Sequence, residues 1–261
     1  MKIRVLGCSG SIAQGCRTTA FLVDDDILID AGTGVGDLAL EDMARVDHIL
    51  LSHSHLDHVL GVPLLADSVM RRRHGRPPIQ IHGLPATLAV LQRHLFNDQL
   101  WPDFTRLPSP LQPVLKLCPV EIGQALVLGA AQRRIEVLPA AHSVPAAGFA
   151  VQGPRGEWVY TGDTGPNPAL WATLRGRQVS HLVIEIAFPE SERTIATDSR
   201  HHCPSTLAEE LRYAPAGAQV LLTHIKPGEL GTVLADLAEC LPGVTLQALE
   251  AGQTIDLDRR A

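Results

Sequence analysis

Three imidazoles and one carboxylate fall within six residues, His53-Ser54-His55-Leu56-Asp57-His58, directly after an apolar strand. Imidazole nitrogen and carboxylate oxygen are the ligands that borderline divalent ions prefer, zinc first, with manganese and iron also suited. In the loop after a strand end, alternate side chains can turn toward one point. A solvent-facing polar loop is the plain alternative, and the order HxHxDH argues against it. Four ligands are too many for one tetrahedral catalytic zinc, which uses three protein ligands and keeps a position open. The segment therefore predicts two divalent metal ions.

A metal pair needs further His and Asp ligands from distant segments, one of them to bridge. His142 follows a strand ending near Ala140, Asp163 sits in Tyr160-Thr161-Gly162-Asp163-Thr164, and His224 ends the strand Val220–Thr223. Taken singly, each reads as an ordinary surface histidine or turn aspartate. Their shared placement after strands, where loops from a rigid scaffold converge, favours a site. Glu185 lies in the otherwise apolar run Leu182–Phe188. A buried carboxylate is costly unless paired or hydrogen-bonded, so it is either structural or tied to the site. Asp30, closing Ile27–Ile29, reads as a support for the His53–His58 loop.

The elements that must position these residues alternate between strands and helices. Strands are expected at Lys2–Leu6, Ala20–Val23 and Ile27–Asp30, the last two joined by a turn at Asp24-Asp25-Asp26. Further strands are expected at His48–Ser52, Ile79–His82, Ile135–Leu138, Phe149–Val151, Trp158–Thr161, His181–Ala187, Val220–Thr223, Val244–Ala248 and Thr254–Leu257. Helices are expected at Asp37–Ala44, Val59–Arg73, Pro85–Phe96, Pro168–Leu174, Ser205–Tyr213 (Ser205 as N-cap) and Leu230–Cys240. Pro102–Pro119 reads as irregular. Strands outnumber helices and fall in two groups, which suits two packed sheets with helices outside, an α/β (α+β) class.

The 261 residues fit one domain spanning 1–261, with 45% hydrophobic residues to fill a core. Net charge is −6, which argues against nucleic acid or an anionic membrane as partner. One basic run, Arg71-Arg72-Arg73-His74-Gly75-Arg76, reads first as a solvated helix end and second as a lip attracting anionic substrates. Five scattered cysteines without CxxC spacing predict no disulfide scaffold. The start, MKIRVLGCSG, does not read as a signal peptide, and no stretch approaches the roughly 20 apolar residues of a bilayer span. A cytoplasmic location is expected.

HxHxDH, then His142, then Gly162-Asp163-Thr164, then Thr223-His224, in this order, resembles the metallo-β-lactamase superfamily over nearly the whole chain. The resemblance implies an αββα sandwich with two metals at one edge of the sheets. One metal takes His53, His55 and His142; the other takes Asp57, His58 and His224; Asp163 and a hydroxide bridge them. More finely, HSHLDHVLGVPLL, HLFNDQLWP, VIEIAFPE followed by HHCPSTL, and LTHIKP resemble class-II 3′,5′-cyclic-nucleotide phosphodiesterases. That likeness implies hydrolysis of cyclic nucleotides such as cyclic AMP to 5′-monophosphates by the bridging hydroxide. His202, held by Glu185, is the expected proton donor to the leaving oxygen; His201 is adjacent, and His202 is preferred for its position ahead of Pro204. The expected catalytic residues are thus His202, Glu185 and Asp57, Asp57 doubling as ligand. Arg17, Lys226 and the Phe96–Trp101 segment are weaker candidates for substrate contact.

The expected partner is a small-molecule phosphodiester, and related folds often form homodimers. The nearest rival is a ribonuclease Z-like tRNA 3′ endonuclease, which shares these ligands and the Glu–His pair but grips tRNA with a basic, glycine-rich arm not visible here. Another small-ester metallohydrolase, such as a glyoxalase-like thioesterase, is a second rival, and Glu185 with a histidine favours phosphodiesters. A non-enzymatic metal-binding module would need lost ligands, and none is lost.

Overall fold

A computed structural model describes residues 1–244 and 246–258. In chain order the strands are β1 (Lys2–Gly7), β2 (Ala20–Val23), β3 (Ile27–Ile29), β4 (His48–Leu50), β5 (Ile79–Gly83), β6 (Pro108–Ser109), β7 (Gln112–Pro113) and β8 (Leu115–Pro119). They continue with β9 (Ala125–Leu128), β10 (Arg133–Pro139), β11 (Ala147–Gly153), β12 (Gly156–Tyr160), β13 (Val179–Glu185), β14 (Gln219–Thr223), β15 (Gln247–Ala248) and β16 (Thr254–Asp256). The α-helices are α1 (Leu40–Arg45), α2 (Leu56–Val59), α3 (Gly61–Val69), α4 (Pro85–Val90), α5 (Pro168–Leu174), α6 (Arg193–Ser199), α7 (Pro204–Glu210) and α8 (Leu230–Cys240). Among the described residues, no helix is long and apolar enough to cross a membrane.

Two seven-stranded sheets result, ordered β16-β1-β2-β3-β4-β5-β8 and β15-β14-β13-β12-β11-β10-β9, with β6 and β7 a separate ribbon. Strand parity assigns the faces. Phe21, Val23, Ile27, Ile29 and Leu50 from the first sheet meet Phe149, Val151, Trp158, Tyr160 and Val183 from the second in one core. The alternate residues, such as Leu22, Leu28 and Ile49, pack outward against Val62, Leu65 and Ala66 of α3 and Leu88 of α4. On the other side, Leu182, Ile184 and Leu222 pack against Leu170 and Leu174 of α5, Leu207 of α7 and Val233 of α8. The strands are apolar on both faces because both faces are covered. This is the αββα sandwich that the resemblance implies.

Within each sheet a block of strands runs parallel: β3-β4-β5-β8 in one and β12-β13-β14-β15 in the other. The carboxyl ends of parallel strands are where open α/β sheets place their sites. The loops after β4, β12 and β14 carry His53, Asp163 and His224, respectively.

Several sequence expectations shift. The helix expected over Asp37–Ala44 is a 3₁₀ turn, Thr33–Asp37, followed by α1. The helix expected from Val59 begins earlier, so Asp57 and His58 ride on α2 rather than on a loop. Helix α7 is capped at Cys203, not Ser205, with Pro204 in the first turn and the Thr206 hydroxyl accepting from the Cys203 N–H. Within Pro102–Pro119 the last five residues form β8. The strand expected at Val244–Ala248 narrows to β15, and Thr245 lies outside the described residues. Strand β9 and helix α6 had no counterpart in the sequence reading.

In the basic run after α3, Arg71, Arg72 and His74 are exposed, as a solvated helix end would be, while Arg73 and Arg76 are structural. Arg73 is buried and donates to the carbonyls of Ala44, Val46 and Pro77 and to the Asp47 carboxylate, which Arg76 also binds. Asp47 precedes β4, while the metal motif follows it, so this run does not form the lip of the site. The Phe96–Trp101 loop is closed on itself, the Asp98 N–H bonding the Trp101 carbonyl. It follows the helix that leaves the carboxyl end of β5, and Phe104 beyond it bonds Leu115 at the start of β8.

Candidate metal centre

Strand β4 ends at Leu50, and the next residues fold inward because their polar groups are met. Asp30, at φ +56° after β3, accepts from the Ser52 N–H (2.8 Å), the Ser52 hydroxyl (2.8 Å) and the Tyr160 hydroxyl (2.9 Å). Its Oδ2 also lies 2.7 Å from His58 Nδ1. A carboxylate on Nδ1 holds that nitrogen as the donor and leaves Nε2 as a free lone pair aimed into the site. Gly162 adopts φ +65°, a left-handed turn that a side chain would strain, and this turn delivers Asp163 from the end of β12. Gly10 is pressed onto His224. A Cβ there would come within 2.4 Å of the His224 carbonyl oxygen and 2.9 Å of its ring Cδ2.

The seven expected ligands converge in two groups, and His142 and Asp163 form a third with His201. His53, His55 and His142 present donor atoms within 4.8 Å of one another, and so do Asp57, His58, Asp163 and His224. Asp163 Oδ2 stands between the groups, 3.3 Å from His58 Nε2, 3.3 Å from His224 Nε2 and 3.8 Å from His53 Nε2. His55 Nδ1 and His142 Nε2 are 3.1 Å apart, and Asp57 Oδ2 is 3.5 Å from His58 Nε2. Two ligand atoms each about 2.0–2.1 Å from a tetrahedral zinc stand about 3.3 Å apart, so these spacings fit ions shared by the side chains. The buried atoms His53 Nε2, His58 Nε2 and Asp163 Oδ1 have no hydrogen-bond partner among the described residues. Buried polar atoms are seldom left so, and a set of them facing one carboxylate is what a metal site presents.

For three of the histidines the electrostatics agree. Burial pushes His142 down to about 4 and His224 down to about 3, and it takes His53 well below the usual imidazole range. Unprotonated imidazoles are the form that binds a metal. Burial would also lower His58, but Asp163 and Asp30 lift it well above the ordinary value. Asp163 is buried, which alone would raise it, yet His224 and His58 hold it well below the usual carboxylate range.

Behind the metal-facing shell sits the Glu185 carboxylate at the end of β13. It accepts from the Thr164 N–H (3.0 Å), and its Oε1 lies 2.7 Å from His201 Nδ1. The expected pairing with His202 is therefore corrected. His202 offers Glu185 only its backbone N–H, at 3.4 Å, while its ring turns to the Thr206 hydroxyl at 3.2 Å. The His202 ring is fully buried, and burial lowers it to about 3, which disfavours the protonated form. His201 instead stacks on His224 (centroids 5.3 Å apart) and meets His142 edge-on (4.8 Å). Burial would depress His201, but the Glu185 carboxylate raises it above the ordinary value. Two imidazoles adjacent in sequence cannot be told apart by type; only the turn that precedes them decides which faces the site.

Lys226 Nζ donates to the Gly10 carbonyl (3.1 Å) and lies 5.4 Å from the Phe188 ring centre, close to His201 and His224. Arg17 is bound to Asp37 at the surface. Sequence reasoning ranked His201 second to His202 and missed the supporting roles of Ser52, Tyr160 and Thr164.

Asp30→Asn is expected to weaken zinc binding at the Asp57–His58–His224 group by about 10- to 100-fold, the usual cost of losing a carboxylate behind a metal-binding histidine. Chelator competition measures this. Unchanged zinc affinity in a folded variant would remove Asp30 from the site.

A description of known sequences named Beta-lactamase superfamily domain matches residues 25–225. The chain is 32% identical to a protein named ribonuclease Z from Bradyrhizobium sp. (strain ORS 278), covering 92% of this chain and 95% of the relative. It is 23% identical to a probable 3′,5′-cyclic-nucleotide phosphodiesterase from Yersinia pestis, covering 87% of this chain and 78% of the relative. The crystal structure of unliganded yeast PDE1 superposes with a TM-score of 0.79 at 19% identity, covering 97% of this chain and 98% of that one.

Proposed function

The chain belongs to the metallo-β-lactamase superfamily, and from that premise we propose that it is a binuclear-metal phosphodiesterase whose substrates are small 3′,5′-cyclic nucleotides, hydrolysed to 5′-monophosphates. The observation that carries the phosphodiester part of this reading is the Glu185–His201 pair, 2.7 Å apart, set against the seven-ligand cluster; the net charge of −6 favours a small substrate over tRNA. An alkoxide leaving group needs a proton, and a carboxylate-supported imidazole beside the metals supplies it.

Bound divalent ions, zinc first, would activate water near neutral pH and offset charge on the phosphate. The chain's own residues do the rest. Asp163 stands between the two ligand groups, and Asp30 fixes His58 with its Nε2 inward. Glu185 holds His201 Nδ1, which leaves His201 Nε2 to carry a proton to the departing ribose oxygen. Glu185 raises the proton affinity of His201 above that of an ordinary imidazole, which favours the protonated form this step needs.

A specific observation favours a second reading, a tRNA 3′ endonuclease: the 32% identity to a relative named ribonuclease Z. The net charge of −6 weighs against it, because tRNA binding draws on clustered cations. The test is hydrolysis of cyclic AMP and cyclic GMP by zinc-loaded protein, with products separated by chromatography and a chelated control. Metal-dependent 5′-monophosphate is the expected result. No cyclic-nucleotide turnover, with precursor tRNA cleaved at its 3′ side, would replace the first reading with the second.

A further inference from the structure

Helix α6 ends in an unusual way. Arg200, just past its last residue, has φ +57° and ψ +53°, a left-handed conformation that side chains other than glycine rarely adopt. Its N–H bonds to the Thr197 carbonyl (3.2 Å), and the His201 N–H bonds to the Ala196 carbonyl (2.8 Å). That pair of bonds is a Schellman motif, whose left-handed position is normally glycine. Here it is arginine, and two of its groups reach the same metal-facing histidine. The Arg200 carbonyl lies 3.1 Å from His142 Nδ1, and the Arg200 guanidinium donates to the His142 carbonyl at 3.0 Å.

We infer that Arg200 is a positioning residue for two parts of the site at once: its left-handed turn aims its carbonyl at His142 and swings His201 back onto Glu185. A carbonyl on Nδ1 makes that nitrogen the donor, so His142 Nε2, 3.1 Å from His55 Nδ1, is left as the lone pair for a metal. The same turn sets which of two adjacent histidines faces the centre. His201 follows the left-handed residue directly and lies 2.7 Å from Glu185, while His202, one residue on, is turned into the protein. The backbone conformation acts through the carbonyl and the direction of the chain. The guanidinium is a second tie on His142, and it offsets the strain of placing a side chain at this position.

The substitutions Arg200→Gly, Arg200→Ala and Arg200→Val separate backbone from side chain. Glycine adopts the left-handed turn freely, alanine less readily, and valine least, because it is branched at Cβ. The readout is zinc alone: titration of each loaded protein with a competing chelator, with circular dichroism confirming the fold. Arg200→Gly is expected to hold both zinc ions within about threefold of the parent. Arg200→Val is expected to release one of the two at least about tenfold more readily, the cost of losing a group behind a metal-binding histidine. Alanine should fall between, which keeps the series decisive if the valine variant does not fold. Nitrogen chemical shifts of the His142 ring give an independent check, with Nδ1 carrying the proton in the parent and in Arg200→Gly. Equal zinc retention in all three variants would overturn the inference, and so would equal loss in all three, which would assign the effect to the guanidinium. None of these readouts depends on the substrate, so they stand apart from the proposed activity.

Discussion

Asp163→Ala is expected to remove nearly all turnover, by about a thousandfold or more, and to lower bound zinc from two ions per chain to one or none. Asp163 Oδ2 is within 3.3–3.8 Å of nitrogens from both ligand groups, so its loss strikes both at once. A metal supplies several kcal/mol of charge stabilisation in the transition state, and each 1.36 kcal/mol is tenfold in rate, which sets the scale. The substitution also leaves His53, His58 and His224 facing an emptied, buried space. Metal analysis and steady-state kinetics on one preparation measure the two effects together. Two zinc ions retained with kcat within tenfold of the parent would show that Asp163 bridges nothing.

His201→Ala is expected to lower kcat by about 10²- to 10⁴-fold, the usual contribution of a placed proton donor, while both zinc ions stay bound. Glu185→Gln should fall in the same direction, because the amide no longer holds a proton on His201. His202→Ala gives the contrast. Its ring is fully buried and reaches only the Thr206 hydroxyl, so its removal should cost stability and leave the proton transfer largely in place. The leaving group provides a further check. A diester that expels p-nitrophenolate needs little protonation, so His201→Ala should lose much less on bis(p-nitrophenyl) phosphate than on a ribose diester. Equal losses on both would deny His201 the proton-donor role.

The parts of this molecule that sequence disclosed are those written at short range or by strand punctuation. HxHxDH is six contiguous residues, and no spatial inference was needed to gather its donors. His142, Asp163 and His224 were visible because each closes an apolar strand, and strand ends of a packed sheet meet at one edge. What stayed hidden depended on particular backbone turns. The sequence Arg193–Ser199 has two threonines and a serine and no glycine stop, so α6 and its left-handed end at Arg200 left no signal. That turn decides whether the His201 or the His202 ring meets Glu185, and for want of it the sequence reading paired Glu185 with His202. Strand β8 was masked by Pro108, Pro110, Pro113 and Pro119, which punctuate the segment like a loop although Leu115–Pro119 pairs with β5. Strand β9 is short and half-exposed at a sheet edge, where side-chain alternation carries little force.

The measurement that bears most directly on a two-metal phosphodiesterase is turnover during stepwise return of zinc. Protein stripped by a chelator would receive zinc in increments up to three equivalents, with cyclic AMP and bis(p-nitrophenyl) phosphate hydrolysis followed at each step. Activity that is absent without metal and reaches its plateau at two equivalents is the predicted result. A plateau at one equivalent, or turnover by the stripped protein, would contradict it.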